Sequence, residues 1–86
     1  MDDPKFTRAF LRRVAALEET ASTAELELLD RTLARIVANP YLRERFPTFY
    51  DPALPTYFIR IHPYLIEFAV DEATGTVTFV SLFHRS

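Results

Sequence analysis

Two hydrophobic periods divide this chain. Phe6, Phe10, Val14 and Leu17 recur at i, i+4, i+8 and i+11, and Leu26, Leu29, Leu33 and Ile36/Val37 continue the helical spacing further on. Between Thr56 and Phe83 the period shortens to two, in the runs TYFIRIH, YLIEFAV and TVTFVSLF, each rich in aromatic and β-branched residues. The first half therefore predicts two amphipathic helices and the second half three strands. Asp3-Pro4 offers a start for the first helix, an acceptor followed by a residue already set at a helical φ. Ser22-x-x-Glu25 is a capping box that starts the second near Thr23, and Asn39-Pro40 ends it, because the residue before proline avoids the α region. The linker between them, Glu19 to Ser22, is short enough to make an antiparallel hairpin. His62-Pro63 and Asp71–Gly75, which holds the chain's single glycine, separate the strands as turns. The expected fold is α+β: an αα-hairpin packed on one face of a three-stranded antiparallel meander, in one domain spanning residues 1–86.

Alternation also predicts register. Pairing Ile61 with Tyr64 and Val70 with Val77 puts Tyr57, Ile59 and Ile61, Tyr64, Ile66, Phe68 and Val70, and Val77, Phe79, Ser81 and Phe83 on one face, under the helices. The other face then receives Phe58, Arg60, Leu65, Glu67, Ala69, Thr78, Val80, Leu82 and His84. Half of these are apolar, whereas the solvent face of a small sheet is mostly polar. Phe58, Leu65, Val80 and Leu82, with Glu67 among them, thus form an expected partner-binding patch.

Residues 40–55 hold four of the six prolines, interleaved with Tyr41, Phe46, Phe49 and Tyr50. They predict an ordered connector that its aromatic residues pin to the domain, with a turn of helix at Tyr41–Arg45; Arg43 and Arg45 beside those rings read first as packing, or else as stacking on or binding nucleic acid. Charge is also organised: Arg8, Arg12 and Arg13 lie off the first apolar stripe, and Glu18, Glu19, Glu25, Glu27 and Asp30 follow. This pattern reads as complementary charge between neighbouring helices, or as an arginine surface for an acidic partner. A chain of 86 residues with 49% hydrophobic residues buries roughly 60–65% of its unfolded surface. The absence of cysteine excludes disulfides, thiol nucleophiles and thiolate zinc sites. Apolar runs broken by Arg60, His62, Glu67 and Asp71, and an N-terminus without a signal-peptide pattern, point to a cytoplasmic protein away from membranes. The net charge of −2 gives no global pull on polyanions.

Chemistry is sparse. Arg60 and Glu67 are diagonal neighbours in this register and read first as an ion pair. His84 and Glu67 lie about 13 Å apart along the strands at ~3.3 Å per residue, too far for a direct acid–base pair. No nucleophile–histidine triad, metal-ligand spacing or phosphate-binding glycine loop is present, and no cofactor is implied.

The order of two helices and three strands, with Arg60, His62-Pro63, Tyr64-Leu65-Ile66, Phe68, Val70-Asp71 and a final His84-Arg85, resembles the RelE/ParE superfamily of toxins of bacterial type II toxin–antitoxin systems, which includes plasmid-stabilisation proteins. The Asn39-Pro40 helix end matches the segment before that family's strands. The family usually opens with a β-strand; with only Met1, Asp2 and Asp3 ahead of the expected helix, that strand is expected to be missing here, which would leave one sheet edge open. In its ribosome-dependent ribonucleases, basic residues on the sheet face and near the C-terminus hold mRNA phosphates. The resemblance assigns that work to Arg60, His84 and Arg85, with His84 as general acid or base. Leu65 stands where the family commonly has arginine, and Glu67 follows two positions on; both oppose polyanion binding. The resemblance therefore implies first a toxin acting on a protein target, such as gyrase, and neutralised by an antitoxin. The alternatives are a ribosome-dependent mRNA endonuclease with a reduced basic site, and an inactive ααβββ interaction module. The partner is an antitoxin or a second copy at the open sheet edge.

Overall fold

The computed structural model describes residues 3–43, 45–47 and 56–84. Its elements are β1 (Lys5–Phe6), α1 (Arg8–Thr20), α2 (Thr23–Ala38), β2 (Phe46–Pro47), β3 (Thr56–Ile61), β4 (Tyr64–Asp71) and β5 (Thr76–His84). The fold is α+β, but the sheet is larger than expected. Among the described residues it has five strands in the order β1-β5-β4-β3-β2, with β1 parallel to β5 and the remaining pairs antiparallel. The three long strands follow one another across its centre, and a two-residue strand borders each side.

Local chemistry explains the helix ends. Ser22 caps α2, its hydroxyl accepting from the Glu25 N–H at 3.1 Å, and Asn39 closes the helix. The start of α1 departs from expectation. Thr7, not Asp3, is the cap: its Oγ1 accepts from the Phe10 N–H at 3.1 Å. The residues just before it form a first strand, contrary to the expectation that it is missing. Lys5 pairs with Thr78 and Phe6 with Phe79. The Phe6 ring stacks on Phe79 with centroids 5.3 Å apart and tilts against Phe10 at 5.8 Å. Two residues are too few for any periodicity to reveal.

Both helices cover one face of the sheet. Phe10, Leu29 and Ile36 pack there on Ile59, Tyr64, Ile66, Phe68, Val70, Val77, Phe79 and Leu82. One polar side chain interrupts the expected all-apolar stripe of α2. Thr32 is 2% exposed, and its hydroxyl is satisfied by the Leu28 carbonyl one turn back, at 2.8 Å.

The register of β3 on β4 is the expected one, Ile61 opposite Tyr64 through Thr56 opposite Ala69. That of β5 on β4 holds from Thr76 to Phe79 and then shifts. Val80 is an extra residue, so Ser81 faces Glu67, Leu82 faces Ile66 and His84 faces Tyr64. Thr7 shows how the bulge is held. Its N–H donates to the Phe79 carbonyl at 3.0 Å and its hydroxyl to the Val80 carbonyl at 2.6 Å. Successive carbonyls of a regular strand point to opposite sides, so one residue engaging both requires the strand to be locally overwound. The physical result is an exchange of faces. Leu82 and His84 turn to the helix side, while Ser81 and Phe83 turn to the open side.

The Asp71–Gly75 turn closes by bonds from the Thr74 and Gly75 N–H groups to the Asp71 carbonyl, at 3.2 and 2.7 Å, with Gly75 at φ 74°. The connector carries no helix over the described part of Tyr41–Arg45. Arg45 stacks instead, with its guanidinium carbon 4.0 Å from the Tyr57 ring centre and 4.8 Å from that of Tyr41. The expected roles of Phe49 and Tyr50 fall outside the described residues. Among the described residues, no helix is long and apolar enough to cross a membrane.

Candidate functional site

The side of the sheet away from the helices carries Phe58, Arg60, Leu65, Glu67, Ser81 and Phe83. Phe83 is 41% exposed, and its ring meets that of Phe58 edge-on with centroids 6.2 Å apart. Leu65, paired with both Arg60 and Phe83, lies between them and is half-buried. Arg60 and Glu67 flank this row on opposite diagonals of the ladder, the placement expected from the sequence. The bulge has thus changed the membership of the patch without removing it. Leu82, expected here, is core at 2% exposure, and Phe83 replaces it. Val80 is half-buried in the bulge, its carbonyl held by Thr7.

The second assembly of functional groups stands at the end of the helix-covered face. His84, expected on the open face that carries Arg60, packs its ring against Tyr64 with centroids 5.3 Å apart. The Tyr64 hydroxyl donates to Glu25 Oε2 at 2.7 Å. Glu25 also receives the Ser22 hydroxyl on Oε1 at 3.2 Å and has its own N–H capped by Ser22, so the capping box of α2 doubles as the anchor of β4. Tyr64 is buried, which, together with the carboxylate beside it, pushes its phenol up to about 12. The hydrogen bond from Tyr64 leads the effects that hold the Glu25 carboxyl below its ordinary value; the Ser22 bonds and nearby His84 act in the same direction against desolvation. His84 also borders a cleft of about 400 Å³ between α1 and β5, with Leu17, Ala16 and Leu82 as apolar walls and Arg13, Glu19 and Thr20 around them.

The structure therefore separates the residues assigned to RNA chemistry. Arg60 and His84 occupy opposite faces of the sheet, and Arg85 lies outside the described residues. What it brings together instead is His84 with Tyr64 and Glu25. Tyr64 had read as a core strand residue and Glu25 as a helix cap, and both readings are correct as far as they go. Their contact spans 39 positions of sequence, and a two-residue motif cannot encode it.

No protein-family model matches the sequence, and no curated protein matches it. The fold has clear counterparts. A chain of the archaeal RelE–RelB complex from Pyrococcus horikoshii OT3 superposes with a TM-score of 0.76 at 15% identity, over 95% of this chain and 92% of that one. The isolated E. coli RelE toxin gives 0.71 at 15% identity, over 95% and 82%. The chain has the RelE toxin fold. Its short β1 stands where the resemblance places an opening strand, and it leaves less of the β5 edge open than expected. At 15% identity the likeness extends to the backbone, and the side chains that carry function have to be argued from their own positions.

Proposed function

We propose that this protein is the toxin component of a type II toxin–antitoxin system, that it acts by binding a protein target, and that an antitoxin neutralises it. The observation that carries this reading is the open sheet face, where Phe58, Leu65 and a 41%-exposed Phe83 form an apolar row bordered by Arg60 and Glu67. An apolar centre with a charged rim suits a protein surface. A phosphate backbone is poorly served by a leucine at the centre of the face and a carboxylate on its rim. One of the two matching structures is a RelE–RelB complex, which supports an antitoxin as partner here as well. The contact set on this chain is Phe58, Leu65, Glu67, Val80 and Phe83. Expression of the wild type should arrest growth, and co-expression of a small protein encoded next to it should restore growth and co-purify. Growth unaffected by expression would refute the toxin reading.

A second reading, ribosome-dependent mRNA cleavage, draws on one observation: His84 beside a Tyr64–Glu25 hydrogen bond at a cleft is a group of proton donors and acceptors. On this reading His84 is the general acid or base, and Arg60 is too remote in orientation to join it. Translating ribosomes incubated with wild type, His84→Ala and Arg85→Ala decide between the two readings. The binding reading predicts intact mRNA in all three. Cleavage by wild type that both substitutions abolish would establish the nuclease.

A further inference from the structure

Two parts of β5 are held differently. Up to Phe79 the strand is paired on both edges, by β4 on one side and by Lys5 and Phe6 of β1 on the other. Beyond Phe79, among the described residues, β4 alone pairs with it, and the bulge at Val80 stands at that boundary. On the outer side the Thr7 hydroxyl reaches past the boundary and donates to the Val80 carbonyl at 2.6 Å. A regular ladder continued from Thr78 opposite Ala69 and Phe79 opposite Phe68 would set Val80 opposite Glu67, Ser81 opposite Ile66, Leu82 opposite Leu65 and Phe83 opposite Tyr64. Both registers pair with the same stretch of β4 and differ in which side chains face the helices.

The composition of residues 80–84 brings the two arrangements close in free energy. In the observed one Leu82 is 2% exposed and Phe83 41%. In the regular one a phenyl group goes inside and an isobutyl group comes out, so apolar burial is kept. The phenyl needs more room, and the cleft of about 400 Å³ between α1 and β5, walled by Ala16, Leu17 and Leu82, lies on that side. The open face keeps an apolar row too, with Val80 and Leu82 joining Phe58 and Leu65. Two effects favour the observed register. Ser81 would otherwise face Ile66, which is fully buried, and the Thr7 bond to Val80 would break. The bond from the Thr7 N–H to the Phe79 carbonyl and the Thr7 cap on α1 belong to both registers and do not discriminate.

We propose that residues 80–84 are a two-position switch, exchanging between the bulged register and the regular one, with the Thr7 hydroxyl as its latch. The exchange moves Leu82 and His84 from the helix side to the open face and Phe83 the other way. His84 leaves the Tyr64 ring and joins the face that carries Arg60. One surface thus presents either an exposed phenyl or a leucine and an imidazole. A ligand that prefers one of these faces draws the population toward it, by as much as its affinities for the two differ. The switch belongs to the strand and does not depend on the toxin reading.

Chemical-exchange saturation transfer NMR on the full chain reads the switch directly, because it returns both the population and the chemical shifts of a minor state. Wild type should show one minor state of about 1%, confined to residues 80–84, the facing residues 64–67 and Thr7, with the shifts of a paired strand. Thr7→Val removes the latch and should raise that population about fivefold, the weight of one hydrogen bond. Thr7→Ser keeps the hydroxyl and should leave it near the wild-type value. Deletion of Val80 makes the observed facing the regular one and should extinguish the exchange. Phe83→Lys should do the same, since an ammonium group does not turn in against the core. Phe83 is exposed, so this variant folds and decides even if the deletion does not fold. Wild type without exchange, a population indifferent to Thr7→Val, minor-state shifts of unpaired chain, or exchange that persists in Phe83→Lys or in a folded deletion would each overturn the proposal.

Discussion

The β5 bulge decides which side chains lie on the open face of the sheet, and paired substitutions at Leu82 and Phe83 test it. With Val80 as an extra residue, Leu82 is 2% exposed under the helices and Phe83 is 41% exposed on the open face. Leu82→Gln loses about 2 kcal/mol of apolar burial and places an amide where hydrogen-bond partners are few, a further cost of about 1–3 kcal/mol. The adjoining cleft admits some water, which puts the sum near the lower end, about 3 kcal/mol. Phe83→Gln gives up part of a ring's contact with Phe58 and Leu65 and leaves its amide hydrated, a loss of about 1 kcal/mol. Urea unfolding resolves the gap: at an m-value of about 1 kcal/mol/M for a chain this small, the two midpoints should differ by about 2 M. An unbulged strand would put Phe83 inside and Leu82 outside. Equal midpoints, or a larger loss from Phe83→Gln, would refute the bulge.

Other consequences follow from single contacts. Thr7→Ala removes the α1 cap and the bond to Val80 together and should cost about 1–2 kcal/mol in chemical unfolding, against about half that for Thr7→Ser. Gly75→Ala should cost about 1 kcal/mol, all of it backbone strain at φ 74°, since an added Cβ meets no atom within 4 Å; Gly75→Asn should recover part of it. The Tyr64–Glu25 bond makes stability depend on pH at both extremes. Glu25, lowered in the fold, contributes stability above its unfolded value of about 4.3, lost as pH falls through the lower folded value; Tyr64, raised to about 12, contributes below its unfolded value of about 10, lost as pH climbs through 12. In Tyr64→Phe the alkaline slope should vanish and the Glu25 carboxyl, followed by NMR, should titrate closer to its ordinary value. An unmoved Glu25 titration would show that the bond is not formed.

Most of the architecture was legible because it rests on local chemistry. The capping box at Ser22, the Asn39-Pro40 stop, the glycine turn and the period-two alternation of β3 and β4 each act over a few residues, and each reads directly from the chain. The failures share one cause, contacts remote in sequence. Val80 is apolar and β-branched, so either register of β5 buries an apolar row, and Thr7, 73 positions away, selects the bulged one. The same residue stands between β1 and α1 as the helix cap, so Asp3-Pro4 precedes a strand and not the helix. At the site, the open patch survived because Phe83 took the place vacated by Leu82. The expected grouping of Arg60 with His84 did not survive, since one inserted residue reverses every later side chain.

The account depends most on the open sheet face being a protein-binding surface. Its direct measurement is the affinity of the proposed antitoxin, once a co-purifying small protein is in hand, for wild type, Leu65→Glu and Phe83→Glu, with a distant surface change such as Glu72→Lys as control. Each substitution on the face should weaken binding by at least about tenfold, the scale of a central apolar contact, while circular dichroism and the control remain as in wild type. Equal affinity for all four proteins would place the partner elsewhere and contradict the reading.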